Sequence, residues 1–313
     1  MKPDSRVLTT CVLLGLGIAA TAAARDAKDV QLARQRFEST AATQRKLLQR
    51  DSTMSALLVA APASQAQEAK TKEAVRQVLE DMRFVLERSL LPDVRNERLF
   101  GGMGVVVTDG WMALAEDMIR ASSADLKVEC VKDYERAALK TALRNRAQAA
   151  EHTRPSLEAI PRLADVVASH QMRGGTNNPC KGVKASDLSQ PFVNKKVAAG
   201  MDAMLIWLIA RQTALHLDAL QAPQAPAEKV TVGTDGFCPE LTADRRALTY
   251  AQATRVDLQP AQSAMGAYAV LFTPALVNSS ACTSQRLDIL MSDKAKGMSK
   301  ADLIATLELT PAK

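Results

Sequence analysis

Residues 201–220 read Met-Asp-Ala-Met-Leu-Ile-Trp-Leu-Ile-Ala-Arg-Gln-Thr-Ala-Leu-His-Leu-Asp-Ala-Leu. The run from Ala203 to Ala210 contains no polar side chain. A helix that is apolar on every side belongs inside a core. The run is far too short to span a bilayer, which takes about 20 apolar residues. The stretch therefore predicts a buried helix that carries Arg211, Gln212 and His216 into or beside the core. A buried charge or amide needs a partner, so any site is expected around these three residues.

Turn signals flank this helix. Residues 173–191 are rich in Gly, Asn and Pro and contain Cys180; residues 222–237 are rich in Pro and Gly and lead into Cys238. Pro239 and Pro260 suit the first turns of helices running to about Val256 and Phe272. A short helix is expected over 283–290. Ser299 with Asp302 forms a capping signature for a last helix over 300–308. Upstream, helices are expected over 111–119, over 131–151, and from Pro155 to Met172 with a kink at Pro161. Residues 98–109, Arg-Leu-Phe-Gly-Gly-Met-Gly-Val-Val-Val-Thr-Asp, are the best strand candidate, because three β-branched residues in a row suit a buried strand. Their glycines are not a phosphate loop: no Gly-Lys-Ser/Thr follows, and they precede the strand instead of ending it.

Two amphipathic stretches open the chain. Residues 25–59 place Val30, Ala33, Phe37, Leu47, Leu48, Met54 and Leu58 at helical spacing. Residues 66–91 place Val75, Val78, Leu79, Met82, Leu86 and Leu90 on one stripe, which Pro92 ends. They predict an N-terminal helical hairpin over 25–91. It is either a partner-binding coiled coil or a pair packed on the protein's own core. Helix formers dominate the composition and aromatics make up only 4%. The fold expected is mainly α, with at most a small β element, residues 92–313 forming one helical domain.

Residues 1–24 run from Lys2 and Arg6 through an apolar stretch, Val7 to Ala20, to Thr21-Ala22-Ala23-Ala24. This is the order of a secretory signal peptide, and it implies a periplasmic or secreted protein with no membrane span after cleavage. Without residues 1–24 there remain 38 basic against 33 acidic residues, a net charge of +5. That balance is mild, no Lys/Arg run tracks phosphates, and nucleic acid is not an expected partner. Cys130, Cys180, Cys238 and Cys282 survive cleavage. An even count in an exported protein reads as two disulfides. Of the three possible connectivities, pairing in sequence order, Cys130–Cys180 and Cys238–Cys282, is favoured because it closes loops of similar size, each contributing about 4 kcal/mol in the chain-entropy account. No Cys-x-x-Cys or Cys/His spacing supports a zinc cluster. No Ser-His-Asp or Cys-His nucleophile set can be assembled from three histidines, His152, His170 and His216.

Three pieces downstream carry a resemblance. Trp207 to His216 resembles the helix of the periplasmic and membrane-associated zinc metallopeptidases related to CAAX-processing and heat-shock proteases, which bears His-Glu-x-x-His after an apolar run and an alanine. Glu240-Leu241-Thr242-Ala243-Asp244 is similar to that family's downstream Glu-x-x-Ala-Asp, whose Glu is its third zinc ligand. Cys282-Thr283-Ser284-Gln285-Arg286 resembles its later His-Pro-Ser…Arg segment. The resemblance covers roughly residues 190–295.

Zinc peptidase chemistry requires two imidazoles one helical turn apart and a Glu between them to activate water. With Ala210 kept in register, Arg211 and Leu215 stand at the histidine positions and Gln212 at the Glu. A one-residue slip offers Gln212 and His216 as ligands and Thr213 as the base. Only Glu240, with Asp244 beside it, survives in both. The resemblance therefore implies a degenerate scaffold with no catalytic residue, no metal and no cofactor, acting by binding a peptide or envelope partner. Two readings of Glu240 stand: an Arg211–Glu240 ion pair, with Gln212 nearby, where the metal would be, or a first-turn acid on an exposed helix, favourable at the N-terminal dipole end. The alternative is a helical periplasmic scaffold or adaptor unrelated to peptidases and working through the 25–91 hairpin.

Overall fold

The computed structural model describes residues 83–99, 102–150, 157–173, 178–221, 238–273, 279–292 and 295–308, together with a set of helical residues between 31 and 80. The expected signal peptide, the loop at 222–237 and much of the expected hairpin lie outside the described residues.

The expectation of a mainly α chain with a small sheet holds. Three strands, β1 (Arg83–Glu87), β2 (Val94–Leu99) and β3 (Gly102–Thr108), form a sheet of order β1-β3-β2. β1 runs parallel to β3, and β2 antiparallel to it. The central strand carries Val105, Val106 and Val107, all buried, as befits a strand covered on both faces. β1 corrects the expected helix over 66–91. Phe84 and Leu86 of Arg-Phe-Val-Leu-Glu turn inward while Arg83 and Val85 turn out, a period of two that the longer apolar stripe conceals. The single strand expected over 98–109 is divided: β2 ends at Leu99 and β3 begins at Gly102.

β3 leads straight into α1 (Asp109–Ser123). Thr108 ends the strand and caps the helix, its Oγ1 accepting from Trp111 N–H while donating to Leu91 O at 2.7 Å. Gly110 is required here: a Cβ would stand 2.4 Å from Leu90 O, where the loop after β1 crosses the helix. α2 (Val128–Ala150) follows. α3 (Leu163–Arg173) starts later than expected. Residues 157–162 are not helical, so Pro161 precedes the helix instead of kinking it. Cys130 of α2 is joined to Cys180 in the following loop.

α4 (Pro191–Gln221) is the long buried helix read from 201–220. Met204, Leu205, Trp207, Leu208, Ile209 and Ala210 are all buried, each large apolar side chain contributing about 1.5–3 kcal/mol. α4 packs on α1 and on α5 (Pro239–Ala253). Gly200 permits the close approach to α1, since a Cβ would meet Ile119 Cγ2 at 2.6 Å. α6 (Gln262–Leu271) is buried at every residue from Ser263 to Leu271. It is enclosed by α1, α7 (Ser279–Leu290) and α8 (Lys300–Glu308). α8 has the bounds read from its capping signature, with Ser299 Oγ donating to Asp302 Oδ2 at 2.8 Å. Cys238 and Cys282 join the start of α5 to the first turns of α7.

The described part of the N-terminal helix packs on the protein's own core. Phe37 is fully buried and meets Phe84 edge-on at 6.4 Å, and Tyr250 of α5 donates to Gln44 Oε1 at 2.8 Å. Among the described residues, no helix is long and apolar enough to cross a membrane.

Candidate functional site

Three separate helices, α4, α5 and α7, meet at one carboxylate. Asp244, one turn into α5, is completely buried. Arg211 of α4 donates from Nε to Asp244 Oδ1 at 2.6 Å, and Arg286 of α7 donates from Nε to Asp244 Oδ2 at 2.6 Å. Both guanidiniums are buried as well. Arg286 Nη1 also donates to Thr273 Oγ1 at 2.9 Å.

Tyr268 of α6 closes the cluster from the other side. Its hydroxyl accepts from Arg211 Nη1 at 3.0 Å and from Gln212 Nε2 at 2.8 Å. Trp111 and Trp207 meet its ring edge-on at 5.4 and 5.2 Å. The Arg211 guanidinium lies 4.9 Å from the ring centroid, within cation–π range. Asn96 of β2 donates to Gln212 O at 3.3 Å, which ties the sheet to α4 at the same level.

The electrostatics follow from burial. Desolvation alone would favour a neutral Arg211, but the Asp244 carboxylate, with help from Glu240, more than offsets it and keeps the guanidinium charged. Burial raises Tyr268 above an ordinary phenol against the pull of both arginines, so it stays neutral. Arg211 Nη2 and Arg286 Nη2 are buried with no hydrogen-bond partner among the described residues. Two guanidiniums thus share one carboxylate, and the cluster depends on that carboxylate.

The expected Arg211–Glu240 pair is replaced by Arg211–Asp244. Glu240 lies in the first turn of α5, half-buried at its end, whereas Asp244 is one turn deeper against α4. Gln212 is next to Arg211 as expected. His216 is buried and its imidazole is pushed toward the neutral form by desolvation. Leu215 is half-buried. His170 is placed elsewhere, 2.6 Å from Asp133, and His152 lies outside the described residues. Among the described residues, Cys238, Glu240 and Cys282 are the grouping of metal-ligating types, with ligand atoms within 4.8 Å of one another. The two sulfurs are joined to each other there. A metal needs thiolates, so the donors fit one only after reduction.

Sequence reasoning gave no role to Tyr268 or Thr273. Tyr268 had one signal: it is the single aromatic residue in a helix of mostly small and apolar residues, Gln-Ser-Ala-Met-Gly-Ala-Tyr-Ala-Val-Leu. Such a residue, once enclosed, must bring its hydroxyl to a partner. No family model, no curated protein and no solved structure matches this chain. What fold and site define is therefore a class: a mainly helical, disulfide-linked protein organised around a buried Arg–Asp–Arg centre.

Proposed function

We propose that the chain is an exported protein on a degenerate zinc-metallopeptidase scaffold, without peptidase activity, that acts by binding a peptide or envelope partner. The observation that supports this reading most is the meeting of Arg211, Asp244 and Arg286. They come from the three segments that resemble the peptidase motifs, and they lie 33 and 42 residues apart from Asp244 in sequence. In the place of imidazole ligands stand a guanidinium and an isobutyl group. A guanidinium is always charged and has no lone pair to give a metal. A carboxylate between two such groups does what a metal does for structure, holding separate helices to one point, but it activates no water.

The test is a general peptidase assay on the purified mature protein, beside retention of a random peptide mixture on the immobilised protein. No turnover with selective, chelator-insensitive retention is expected. Turnover abolished by chelator would overturn the reading. The scaffold or adaptor alternative required an N-terminal hairpin free to engage a partner; the packing of Phe37 and Gln44 on the core does not favour it.

A further inference from the structure

A cavity of about 500 Å³ lies away from the Arg–Asp–Arg centre and shares no residue with it. One wall is the first two turns of α1, another the loop after β1, and the third the segment before α3, with Tyr134 of α2 between them. The volume is in the range of small-molecule sites, which are mostly apolar with a few placed polar groups. Leu90, Met112, Leu114, Ile160 and Pro161 supply the apolar surface. The walls are held in place before anything binds: Gly110 N–H donates to Ser89 O at 2.8 Å, and Thr108 anchors Leu91 as described above.

The polar groups divide unevenly. The carboxylates are engaged. Asp117 is held by Arg162 Nε at 2.7 Å and by Leu163 N–H at 3.1 Å. Glu116 is held by Arg120 at 2.7 Å, and Asp109 has a partner of its own. Beside these carboxylates the cavity holds three donors that are not fully committed. Arg88 is exposed at the rim and forms no ion pair among the described residues. Arg162, with two-fifths of its side chain exposed, spends Nε and Nη2 on Asp117 and keeps Nη1. The Tyr134 hydroxyl is buried without a hydrogen-bond partner among the described residues. Burial and the nearby Asp117 keep that phenol protonated, so it is a donor at neutral pH. A buried hydroxyl left unpaired is destabilising unless something supplies an acceptor.

We infer that this cavity binds an apolar carboxylate: a hydrophobic body enclosed between α1 and the segment before α3, with its carboxylate received by Arg88, Arg162 and the Tyr134 hydroxyl. Such a head group comes from a free aliphatic acid or from the C-terminal residue of a peptide. Two donors on guanidiniums match a carboxylate better than any neutral head.

Calorimetric titration of the mature, disulfide-intact protein with octanoate, octan-1-ol and N-acetyl-leucine tests this. One octanoate or N-acetyl-leucine per chain is expected, with octan-1-ol at least about tenfold weaker, the effect of one charge-assisted hydrogen bond. Whichever carboxylate binds tighter names the source. Tyr134→Phe removes only the unpaired hydroxyl, so it is expected to melt no lower than the wild type and to weaken octanoate about tenfold. Arg88→Gln, at an exposed position, is expected to weaken it by about fivefold. Octan-1-ol binding as tightly as octanoate, or unchanged octanoate affinity in a folded Tyr134→Phe, would overturn the inference. So would the absence of saturable carboxylate binding. None of these results bears on peptidase activity, so this inference and the proposed function fail separately.

Discussion

Two of the clusters in which arginine meets aspartate or glutamate, one on the sheet and one in the core, differ in almost everything but chemistry. On the sheet, Arg95 is surrounded by Glu87, Asp93 and Glu97, with more than a third of its side chain in solvent. In the core, Asp244 is shared by Arg211 and Arg286, and water reaches none of the three. The Arg95 cluster has more carboxylates than cations and can dispense with any one of them. The Asp244 cluster has more cations than carboxylates and a single counter-charge. A surface pair is screened and contributes from nothing to about 1 kcal/mol. A buried pair gives little net stability, yet removing one member leaves the other charged in a medium that cannot solvate it. Burial, not the number of ion pairs, decides which arginine the fold depends on.

The comparison breaks most visibly at Asp244. Asp244→Ala leaves two buried guanidiniums with no carboxylate and is expected to cost more than the about 3–5 kcal/mol of a single broken buried pair. Thermal and urea unfolding would register it as a large loss of stability or as failure to fold. Arg211→Ala is the next step down. Asp244 then keeps Arg286, but Tyr268 and Gln212 lose a neighbour and a cavity opens, for about 3 kcal/mol in urea unfolding.

Glu135 sharpens the contrast as a buried carboxyl with no guanidinium. Its pKa is pushed up to about 8 by burial, against the Met298 N–H and Lys132. The sign follows from the two states. Between the ordinary value near 4.5 and about 8, the native state keeps the proton and the unfolded chain has lost it. Stability contributed by the neutral form is therefore full at acid pH and is lost as pH rises toward 8. Glu135→Gln is expected to match the wild type near pH 4.5 and to exceed it near pH 9, on the order of 3 kcal/mol. Equal stabilities at both pH values would contradict this. The smallest effect belongs to Arg95→Ala, expected to change stability by less than about 1 kcal/mol and to vanish at 1 M salt.

How much was legible in the sequence follows the same division. The apolar run from Ala203 to Ala210 announces a buried helix whatever surrounds it, and Ser299 with Asp302 marks a helix start through local bonds alone. Both are found as read. β1 was hidden because Leu86 and Leu90 also fit a helical stripe continued from Val75, Val78 and Met82. Its pairing with β3, some 20 residues onward, decides the matter, and that is not a local property. The site was half legible. Arg211 on an apolar helix demands a partner, but choosing Asp244 over Glu240 depends on how far along α5 the contact with α4 falls. No pattern in residues 239–253 sets that depth. Tyr268 belongs to no motif at all and becomes part of the site only because α6 is enclosed on every side.

The zinc content of the mature protein, purified without chelator, incubated with excess zinc under non-reducing conditions and dialysed, tests the central claim most directly. With Asp244 gripped by two guanidiniums and Cys238 joined to Cys282, the protein is expected to retain well under one zinc per chain, on the grounds that guanidiniums and disulfide sulfurs are not zinc ligands. One tightly held zinc per chain would contradict the account.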